Sequence, residues 1–314
     1  MEHLPSRIPH ASPADLPLRR RRGGEPVIPV NQVRRKLADG ERVYGLFCSV
    51  PAPSLVEMIG WAGYDFVVLD AEHTLLDPQT LENMIRAAQA TGLTPFLRVA
   101  PHDTATMLRA LDAGALGIVV PHVRTRADIE SAVRAIHYAP AGMRSLGAGR
   151  AAAYGLTDPI EHCRHAEAET MLIALVEDAE AVDSIDDILG GGGVDMVLPG
   201  VADLSQSLGV PWQLRHEAVL AALTRIHESC VAHAVVFCAL VRSARRHADW
   251  REAGVRAFAC GDVATLAAAG RRAPRGRRGG TGRAPPGGGA PARGGGGICA
   301  GPSGGRRRGG WSRR

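Results

Sequence analysis

Acidic, histidine and arginine residues stand in this sequence at the ends of short apolar runs. Carboxylates, a histidine and an arginine can together hold a hard divalent cation, move a proton and stabilise a developing negative charge. Taken singly, each residue has an ordinary structural explanation, because an acid after a strand often caps the next helix. Their shared position at successive run ends indicates one site. The residues are Asp70, Glu72, His73, Arg98, Glu177, Asp178 and Asp203.

Eight apolar runs alternate with longer stretches of helical periodicity. The runs cover residues 43–49, 66–70, 95–99, 117–121, 171–177, 196–200, 235–240 and 257–261. Between them, Leu81, Met84, Ile85 and Ala88 show the spacing of an amphipathic helix. Strands that alternate with helices pair in parallel through right-handed crossovers. Eight such units predict an α/β protein with a closed (β/α)8 barrel, the TIM barrel, over residues 30–270.

The carboxyl ends of the strands meet at one rim of such a barrel, where active sites are built. Glu177 and Asp203 end neighbouring strands, so their carboxylates can reach one ion. Oxygen ligands favour Mg²⁺ or Mn²⁺ over zinc, with Co²⁺ as a further candidate. Asp178 is a competing ligand. We rank it below Glu177, because adjacent strand residues point to opposite faces.

Several blocks of this sequence resemble the HpcH/HpaI class of metal-dependent 2-keto acid aldolases. The blocks are 67–73 (VVLDAEH), 97–98 (LR), 111–114 (LDAG), 138–144 (YAPAGMR), 176–177 (VE) and 200–205 (GVADLS). The resemblance runs from about residue 43 to about residue 266. It implies a (β/α)8 barrel of the phosphoenolpyruvate/pyruvate-binding type and a homo-oligomer, a hexamer or a trimer.

The resemblance also assigns roles to residues. The equivalents of Glu177 and Asp203 hold the divalent metal, His73 is the acid/base, and Arg98 stabilises the enolate. An acid at the place of Asp112 supports the histidine. On this basis we expect a small 2-keto acid substrate and neither a membrane nor a nucleic acid as partner.

The substrate pocket is expected to include Ala202, Leu175 and Phe47 beside Arg98, with Asp70 and Glu72 supporting the site from behind. Phe47 faces inward on the first strand, where packing in the core is an equally good explanation. Two residues depart from the usual pattern of the family. Leu175 stands where a glutamine is usual, and Val201 replaces the proline of Gly-Pro-Ala-Asp. The departures leave the identity of the substrate open.

The chain contains a single lysine, Lys36, which precedes the first predicted strand. Carbon–carbon cleavage of a 2-keto acid needs an acceptor for negative charge, either a lysine Schiff base or a metal ion. Because Lys36 lies away from the strand ends, the sequence favours the metal. Arg98 would then add positive charge beside the enolate, and His73 would move the proton of the 4-hydroxyl group.

The basic charge is concentrated near the end of the chain. Twelve of the 37 basic residues and no acidic residue lie in 271–314, which leaves 25 basic against 32 acidic residues in 1–270. We expect residues 1–29 to be a disordered leader and 271–314 to be a disordered Arg/Gly-rich tail, since neither segment could form a core. A shifted reading frame explains the tail more simply than a genuine RNA-binding segment, because the composition changes inside the last predicted helix.

The six cysteines include no CxxC pair, and Cys48, Cys238 and Cys260 end apolar runs. This usage is typical of reduced thiols and predicts a cytoplasmic protein. No apolar run approaches the length needed to span a bilayer.

Two other functions stay open. An oxaloacetate decarboxylase or an acyl-CoA lyase of the same family would use the same metal and arginine, since each reaction forms an enolate. A barrel that has lost activity and binds RNA through its tail would instead show salt-sensitive RNA binding. The intact set of acids, histidine and arginine argues against lost activity.

Overall fold

The computed structural model describes residues 29–262, and every predicted apolar run lies within them. Each run forms a strand whose bounds agree with the prediction to within one residue. The strands are β1 (Val43–Cys48), β2 (Phe66–Asp70), β3 (Thr94–Arg98), β4 (Gly117–Val120), β5 (Met171–Val176), β6 (Met196–Pro199), β7 (Val236–Leu240) and β8 (Ala257–Asp262). They pair in parallel and in chain order, and β8 returns to β1, so the sheet is a closed barrel. The predicted (β/α)8 fold is confirmed.

One helix precedes β1, and the others lie between successive strands. They are α1 (Gln32–Ala38), α2 (Pro53–Trp61), α3 (Pro78–Ala90), α4 (Thr104–Ala113), α5 (Arg126–Ile136), α6 (Pro159–Glu169), α7 (Ala179–Asp183), α8 (Ile185–Gly190), α9 (Val201–Ser207), α10 (Glu217–Ala232) and α11 (Ala244–Glu252), with a short 3₁₀ helix at Arg150–Gly155. Side chains that accept hydrogen bonds from the first turn begin several of them, as at Asp77, Asp103, Thr125 and Ser243. These caps fix the point at which each loop, after leaving a strand, ends and the next helix begins.

Alternate residues of the strands face the barrel axis and form an inward core. Its members are Val43, Phe47, Phe66, Val68, Phe96, Val119, Met171, Ile173, Leu175, Met196, Leu198, Cys238, Ala257 and Ala259, together with two residues of α1. The same period of two puts Asp70, Arg98 and Glu177 on the axial side at the carboxyl ends of β2, β3 and β5. We call this carboxyl-terminal rim the mouth. The polar side chains at the mouth lie directly above the apolar layers of the inward core, so solvent reaches them from the open rim.

Helix α1 closes the opposite, amino-terminal end of the barrel. Its Val33 and Leu37 pack into the inward core. Lys36 of the same helix pairs with Asp65, which precedes β2, at an Nζ–Oδ1 distance of 2.6 Å. The single lysine of the chain therefore lies at the end of the barrel away from the mouth.

Several predictions about the termini lie outside the described residues. They concern the leader, of which only Pro29 is described, the tail at 271–314, and the last helix after β8. Between residues 29 and 262, no helix combines the length and apolar character required to cross a membrane. Within this part, Cys48, Cys163, Cys230 and Cys238 form no disulfide, and Cys48 and Cys238 are buried.

Gly45 of β1 lies against the ring of Phe66, its register partner on β2. A Cβ at Gly45 would overlap this ring, which is fully buried. We predict that Gly45→Ala lowers the free energy of unfolding by about 1–3 kcal/mol, the usual effect of overpacking. Urea denaturation followed by circular dichroism measures the change. Gly190→Ala is the control, because a Cβ there meets no atom closer than 3.8 Å. Equal losses in both variants would contradict the prediction.

Candidate active site

An aspartate and an arginine on neighbouring strands form a buried ion pair at the mouth. Asp70 ends β2, Arg98 ends β3, and the two are direct partners in the strand register. Arg98 donates from Nε to Asp70 Oδ1 at 3.0 Å and from Nη2 to Oδ2 at 2.7 Å, a bidentate pair. Burial alone would raise the pKa of Asp70, but the hydrogen bonds and charge of Arg98 outweigh burial and lower it. Asp70 therefore stays ionised although it is only 2% exposed.

Arg98 is held from two further directions. Its Nη1 lies 3.3 Å from Glu72 Oε2, and its guanidinium stands 5.2 Å from the centroid of the Phe47 ring. The predicted supporting residues Asp70 and Glu72 are thus the direct partners of Arg98. Phe47 packs in the inward core against Arg98, and its contact with substrate stays a prediction. Because Nη1 and Nη2 each carry two hydrogens, the guanidinium keeps N–H donors that Asp70 does not use.

Glu177 follows β5 and continues the inward series above Leu175. It is 3% exposed, and its Oε1 accepts a hydrogen bond from the backbone N–H of His122 at 2.9 Å. Burial raises the pKa of Glu177 to about 7, and the nearby charges of Glu72 and Asp203 contribute to the rise. A buried carboxylate among other carboxylates is an arrangement that a divalent cation would stabilise.

Gly200 leaves the space that Glu177 occupies. It follows β6, and its N–H donates to the carbonyl of Val176 at 2.9 Å, which brings its Cα beside Glu177. A Cβ on Gly200 would overlap both Oε2 and Cβ of Glu177. The position of the Glu177 carboxylate therefore depends on a glycine at the end of β6.

Asp178 is held by partners outside the barrel axis. Its Oδ2 lies 3.0 Å from Nδ1 of His122, and its Oδ1 accepts a hydrogen bond from Arg124 at 3.1 Å. Burial acts to raise the pKa of Asp178, but the hydrogen bonds from Arg124 and His122 outweigh it and lower the pKa. Because Asp178 is engaged in this network, Glu177 is the better candidate for a metal ligand.

Asp203 lies in the first turn of α9, after β6, and is exposed to solvent. It is close enough to Glu177 for its charge to affect the pKa of that residue. The preceding residue, Ala202, accepts a hydrogen bond at its carbonyl from Ser205 Oγ at 2.6 Å. Leu175 is buried beneath Glu177 in the inward core. The structure thus brings the two predicted metal ligands into one region, and contacts of Ala202 and Leu175 with substrate stay predictions.

His73 lies in the loop after β2, and its side chain is 64% exposed. Its Nε2 is 3.8 Å from Glu72 Oε2, and its backbone N–H donates to Asp70 Oδ1 at 3.3 Å. The aspartate that holds Arg98 therefore also shapes the loop that carries His73. The exposed imidazole is open to a substrate, as the predicted acid/base role requires.

Asp112 does not meet His73 within one chain. Helix α4 begins after the carboxyl end of β3 and runs back to the start of β4, so Asp112, near its last turn, lies at the amino-terminal rim. There its Oδ1 accepts a hydrogen bond from Arg144 Nη2 at 2.7 Å. The expected contact between Asp112 and His73 is therefore not formed among residues 29–262. The acid beside the His73 ring is Glu72.

Two groups at the mouth, His122 and Ser49, stand at the ends of predicted apolar runs, but the sequence assigns no role to either. His122, two residues after β4, has a φ of +50° and contacts both Glu177 and Asp178. Its signal is a histidine at the end of an apolar run. Ser49, just after β1, donates from Oγ to Asp262 Oδ1 at the end of β8, at 2.7 Å. The hydrogen bond between Ser49 and Asp262 depends on barrel closure, because the two residues are 213 positions apart in the chain.

The mouth offers a partial set of metal ligands. Among residues 29–262, no three or more His, Cys, Asp or Glu side chains converge as a complete metal site. Glu177 and Asp203 supply two carboxylates. Mg²⁺ keeps several water ligands and commonly takes only one or two protein carboxylates. The buried Glu177, with Glu72 and Asp203 as like-charged neighbours, therefore fits a hard divalent ion.

Comparison with known proteins gives a consistent set of relatives. Residues 43–269 match the HpcH/HpaI aldolase/citrate lyase family. The chain is 36% identical over 197 residues to a pyruvate aldolase of Rhizobium etli, a match that covers 62% of this chain and 77% of the relative. It is 35% identical over 196 residues to a hydroxypyruvate/pyruvate aldolase of Pseudomonas aeruginosa, with 62% and 73% covered.

The fold is also similar to that of a solved structure, the citrate synthase SbnG. The TM-score is 0.68, and 39% of the aligned residues are identical. The alignment covers 76% of this chain and 98% of that one. The family match, over residues 43–269, includes every strand of the barrel and every residue proposed above for the mouth.

Glu177 predicts a pH-dependent instability of the metal-free protein. Because its pKa is raised from 4.5 to about 7, the folded protein binds more protons than the unfolded chain between these values. The stability contributed by the protonated group is complete below pH 4.5 and is lost as the pH rises through about 7. We expect Glu177→Gln to raise the free energy of unfolding by roughly 3 kcal/mol at pH 8 and by less than about 1 kcal/mol at pH 5.

Urea unfolding of chelator-treated protein at the two pH values measures this difference. Asp187→Asn, an exposed acid on α8, is the control and should change stability little at either pH. A gain from Glu177→Gln that is the same at pH 5 and pH 8 would show that the Glu177 carboxylate is not destabilised by burial.

Proposed function

The chain belongs to the HpcH/HpaI aldolase/citrate lyase family, and we propose that it is a divalent-metal-dependent aldolase that cleaves a 4-hydroxy-2-keto acid to pyruvate and an aldehyde. The observation that carries this proposal is that one mouth holds both the buried carboxylate Glu177 and the charged group of Arg98, which Asp70 orients. The cleavage requires stabilisation of the negative charge that develops on the keto oxygen. Lys36 lies at the other end of the barrel, which disfavours a Schiff base.

Glu177 and Asp203 would hold the divalent cation. When bound, the ion polarises the keto group of the substrate and neutralises part of the developing charge. The carboxylate oxygens favour Mg²⁺ or Mn²⁺. Asp178 is less suited to this role, because His122 and Arg124 already occupy its oxygens.

Arg98 would bind the substrate with the N–H groups that Asp70 leaves free. Burial acts to lower the pKa of Arg98, but Asp70 and then Glu72 and Glu177 outweigh it, so the net direction is upward. The guanidinium therefore stays charged. Because Asp70 and Phe47 fix its position before substrate arrives, no reorganisation is needed as negative charge forms.

His73 would accept the proton of the 4-hydroxyl group as the C3–C4 bond breaks and the aldehyde leaves. The bonding electrons then form the pyruvate enolate beside Arg98, and a proton delivered to C3 completes pyruvate. Glu72 Oε2, 3.8 Å from His73 Nε2, would help to orient the imidazole toward the substrate.

The names of the relatives support pyruvate as the released 2-keto acid. The floor of the mouth is apolar where Leu175 and Phe47 lie, and these side chains offer the substrate no hydrogen bond. The similarity to a citrate synthase supports a second candidate, an enzyme of this family that acts on oxaloacetate or on an acyl-CoA thioester. The same arginine and carboxylates would serve both reactions, and the products distinguish them.

We also propose that the chain assembles with copies of itself. The segment 143–160 exposes large apolar side chains, namely Met143, Leu146, Tyr154, Leu156 and Ile160. Concentrated apolar surface of this kind is typical of association surfaces. A hexamer or a trimer is the expected assembly, and light scattering of the purified protein determines it.

One prediction of this proposal concerns the metal. Chelator-treated protein should release no pyruvate from a panel of 4-hydroxy-2-keto acids, and Mg²⁺ or Mn²⁺ should restore release. Glu177→Gln and Asp203→Asn should abolish the metal-stimulated rate, while Asp178→Asn should lower it less. Oxaloacetate is assayed in parallel to separate the two candidate reactions. Borohydride trapping of substrate on the protein, or a null Asp178→Asn with an active Glu177→Gln, would overturn the assignment.

Another prediction of this proposal concerns Arg98 and His73. Arg98→Lys should lower kcat/KM by roughly 10²–10³-fold, because an ammonium cannot pair with both Asp70 oxygens and also reach the enolate. His73→Ala should lower kcat by roughly 10²–10⁴-fold, the usual contribution of a general base. Arg86→Lys is the control, since Arg86 is an exposed residue that pairs with Glu82 and Asn83 on the outer face of α3. A near-normal rate in either test variant removes that residue from the mechanism.

A further inference from the structure

His122 has a backbone conformation that a residue with a Cβ disfavours. Its φ of +50° lies in the left-handed region, where the side chain crowds the backbone. Such a conformation persists only where surrounding contacts hold it, and such residues concentrate at functional sites. His122 lies at the mouth, between the end of β4 and the loop to α5.

The backbone N–H and the ring Nδ1 of His122 contact Glu177 and Asp178, the two acids that follow β5. The backbone N–H donates to Glu177 Oε1 at 2.9 Å. The ring Nδ1 lies 3.0 Å from Asp178 Oδ2, and since an ionised carboxylate only accepts hydrogen bonds, Nδ1 is the donor. One residue therefore binds two adjacent carboxylates that point to opposite sides of the strand.

The backbone conformation and the ring contact depend on each other. Rotation about the N–Cα bond to a negative φ would move either the peptide that carries the N–H or the chain that leads into α5. The hydrogen bond from the ring to Asp178 opposes this rotation. Arg124 holds the other oxygen of Asp178 at 3.1 Å, so the anchor for the ring is itself fixed.

Glu177 is consequently confined from two sides. The His122 N–H holds Oε1, and Gly200 stands beside Oε2 without a Cβ that would displace it. An acid fixed in this way presents the same oxygen to the mouth whether or not an ion is present. Without the His122 contact, the Glu177 carboxylate could turn toward other donors.

We propose that His122 is a positioning residue for the metal ligand Glu177. Its ring, anchored on Asp178, maintains the left-handed backbone, and that backbone directs the N–H that fixes Oε1 and leaves Oε2 to the ion. The inference rests on the proposed function, because it takes Glu177 as a ligand. It extends that function by assigning a role to a residue outside the set of metal ligands and reacting groups.

The test is Mn²⁺ affinity of the full-length, chelator-treated protein without substrate, measured from the electron paramagnetic resonance signal of free Mn²⁺. His122→Ala should raise the Kd by about tenfold or more, the usual loss when a supporting partner of a metal ligand is removed. His122→Asn should restore most of the affinity, because asparagine tolerates positive φ and its amide can donate to Asp178. His102→Ala is the matched control, because it replaces another histidine of positive φ (+61°) that lies outside the hydrogen bonds described for Glu177 and Asp178, and it should change the Kd less than threefold, on the order of experimental scatter.

The outcomes separate this inference from the proposed function. If wild type and Glu177→Gln bind Mn²⁺ equally, the metal site itself is refuted. If Glu177→Gln loses binding while His122→Ala binds as wild type does, the site stands and the positioning role is overturned. If His122→Ala does not fold, His122→Gly decides: glycine permits the backbone but lacks the ring, so weaker binding than in His122→Asn supports the anchor, and equal binding refutes it.

Discussion

A buried positive charge at the mouth is the constraint on which the other features depend. Arg98 is stable in a largely buried position chiefly because Asp70 satisfies it with two hydrogen bonds, since an unpaired buried charge is strongly unfavourable. The two residues are register partners, so the ion pair also favours one alignment of β2 and β3. Asp70 Oδ1 further accepts the N–H groups of Glu72 and His73. A single carboxylate thereby couples strand alignment, arginine orientation and the shape of the loop that carries His73.

The mouth separates its acids into two electrostatic environments. Asp70 and Asp178 have basic partners that outweigh the effect of burial and lower the pKa of each. Glu177 is buried with Glu72 and Asp203 nearby, and its pKa is raised. The first environment keeps charged groups in place without any ligand. The second has an excess of negative charge, and this difference is the reason that we propose Glu177, rather than Asp178, as the ligand of a cation.

Much of this arrangement could be predicted from sequence, and the rest could not for identifiable physical reasons. Apolar runs fixed the strands, and their period of two assigned Glu177 to the axis and Asp178 away from it. The position of Asp112 could also be predicted from sequence, because a residue near the end of a helix that returns to the next strand lies at the amino-terminal rim. The left-handed backbone of His122 has no such signal, since its stability comes from contacts with Glu177 and Asp178, 55 and 56 residues away. The pair Ser49 and Asp262 likewise exists only after closure of the ring.

Closure of the ring also has a consequence for the order of events during synthesis. Strands β2 to β8 can each pair with the preceding strand as they emerge, but the seam between β1 and β8 joins residues 214 positions apart, as in the pair Val43 and Ala257. Pairing over such a separation forms late, because the intervening chain must be ordered first. Until then, the inward core is open along one side, and β1 presents an unpaired edge to neighbouring chains. Asp70 and Arg98 can meet early in a nascent chain, whereas the complete mouth is a property of the finished ring.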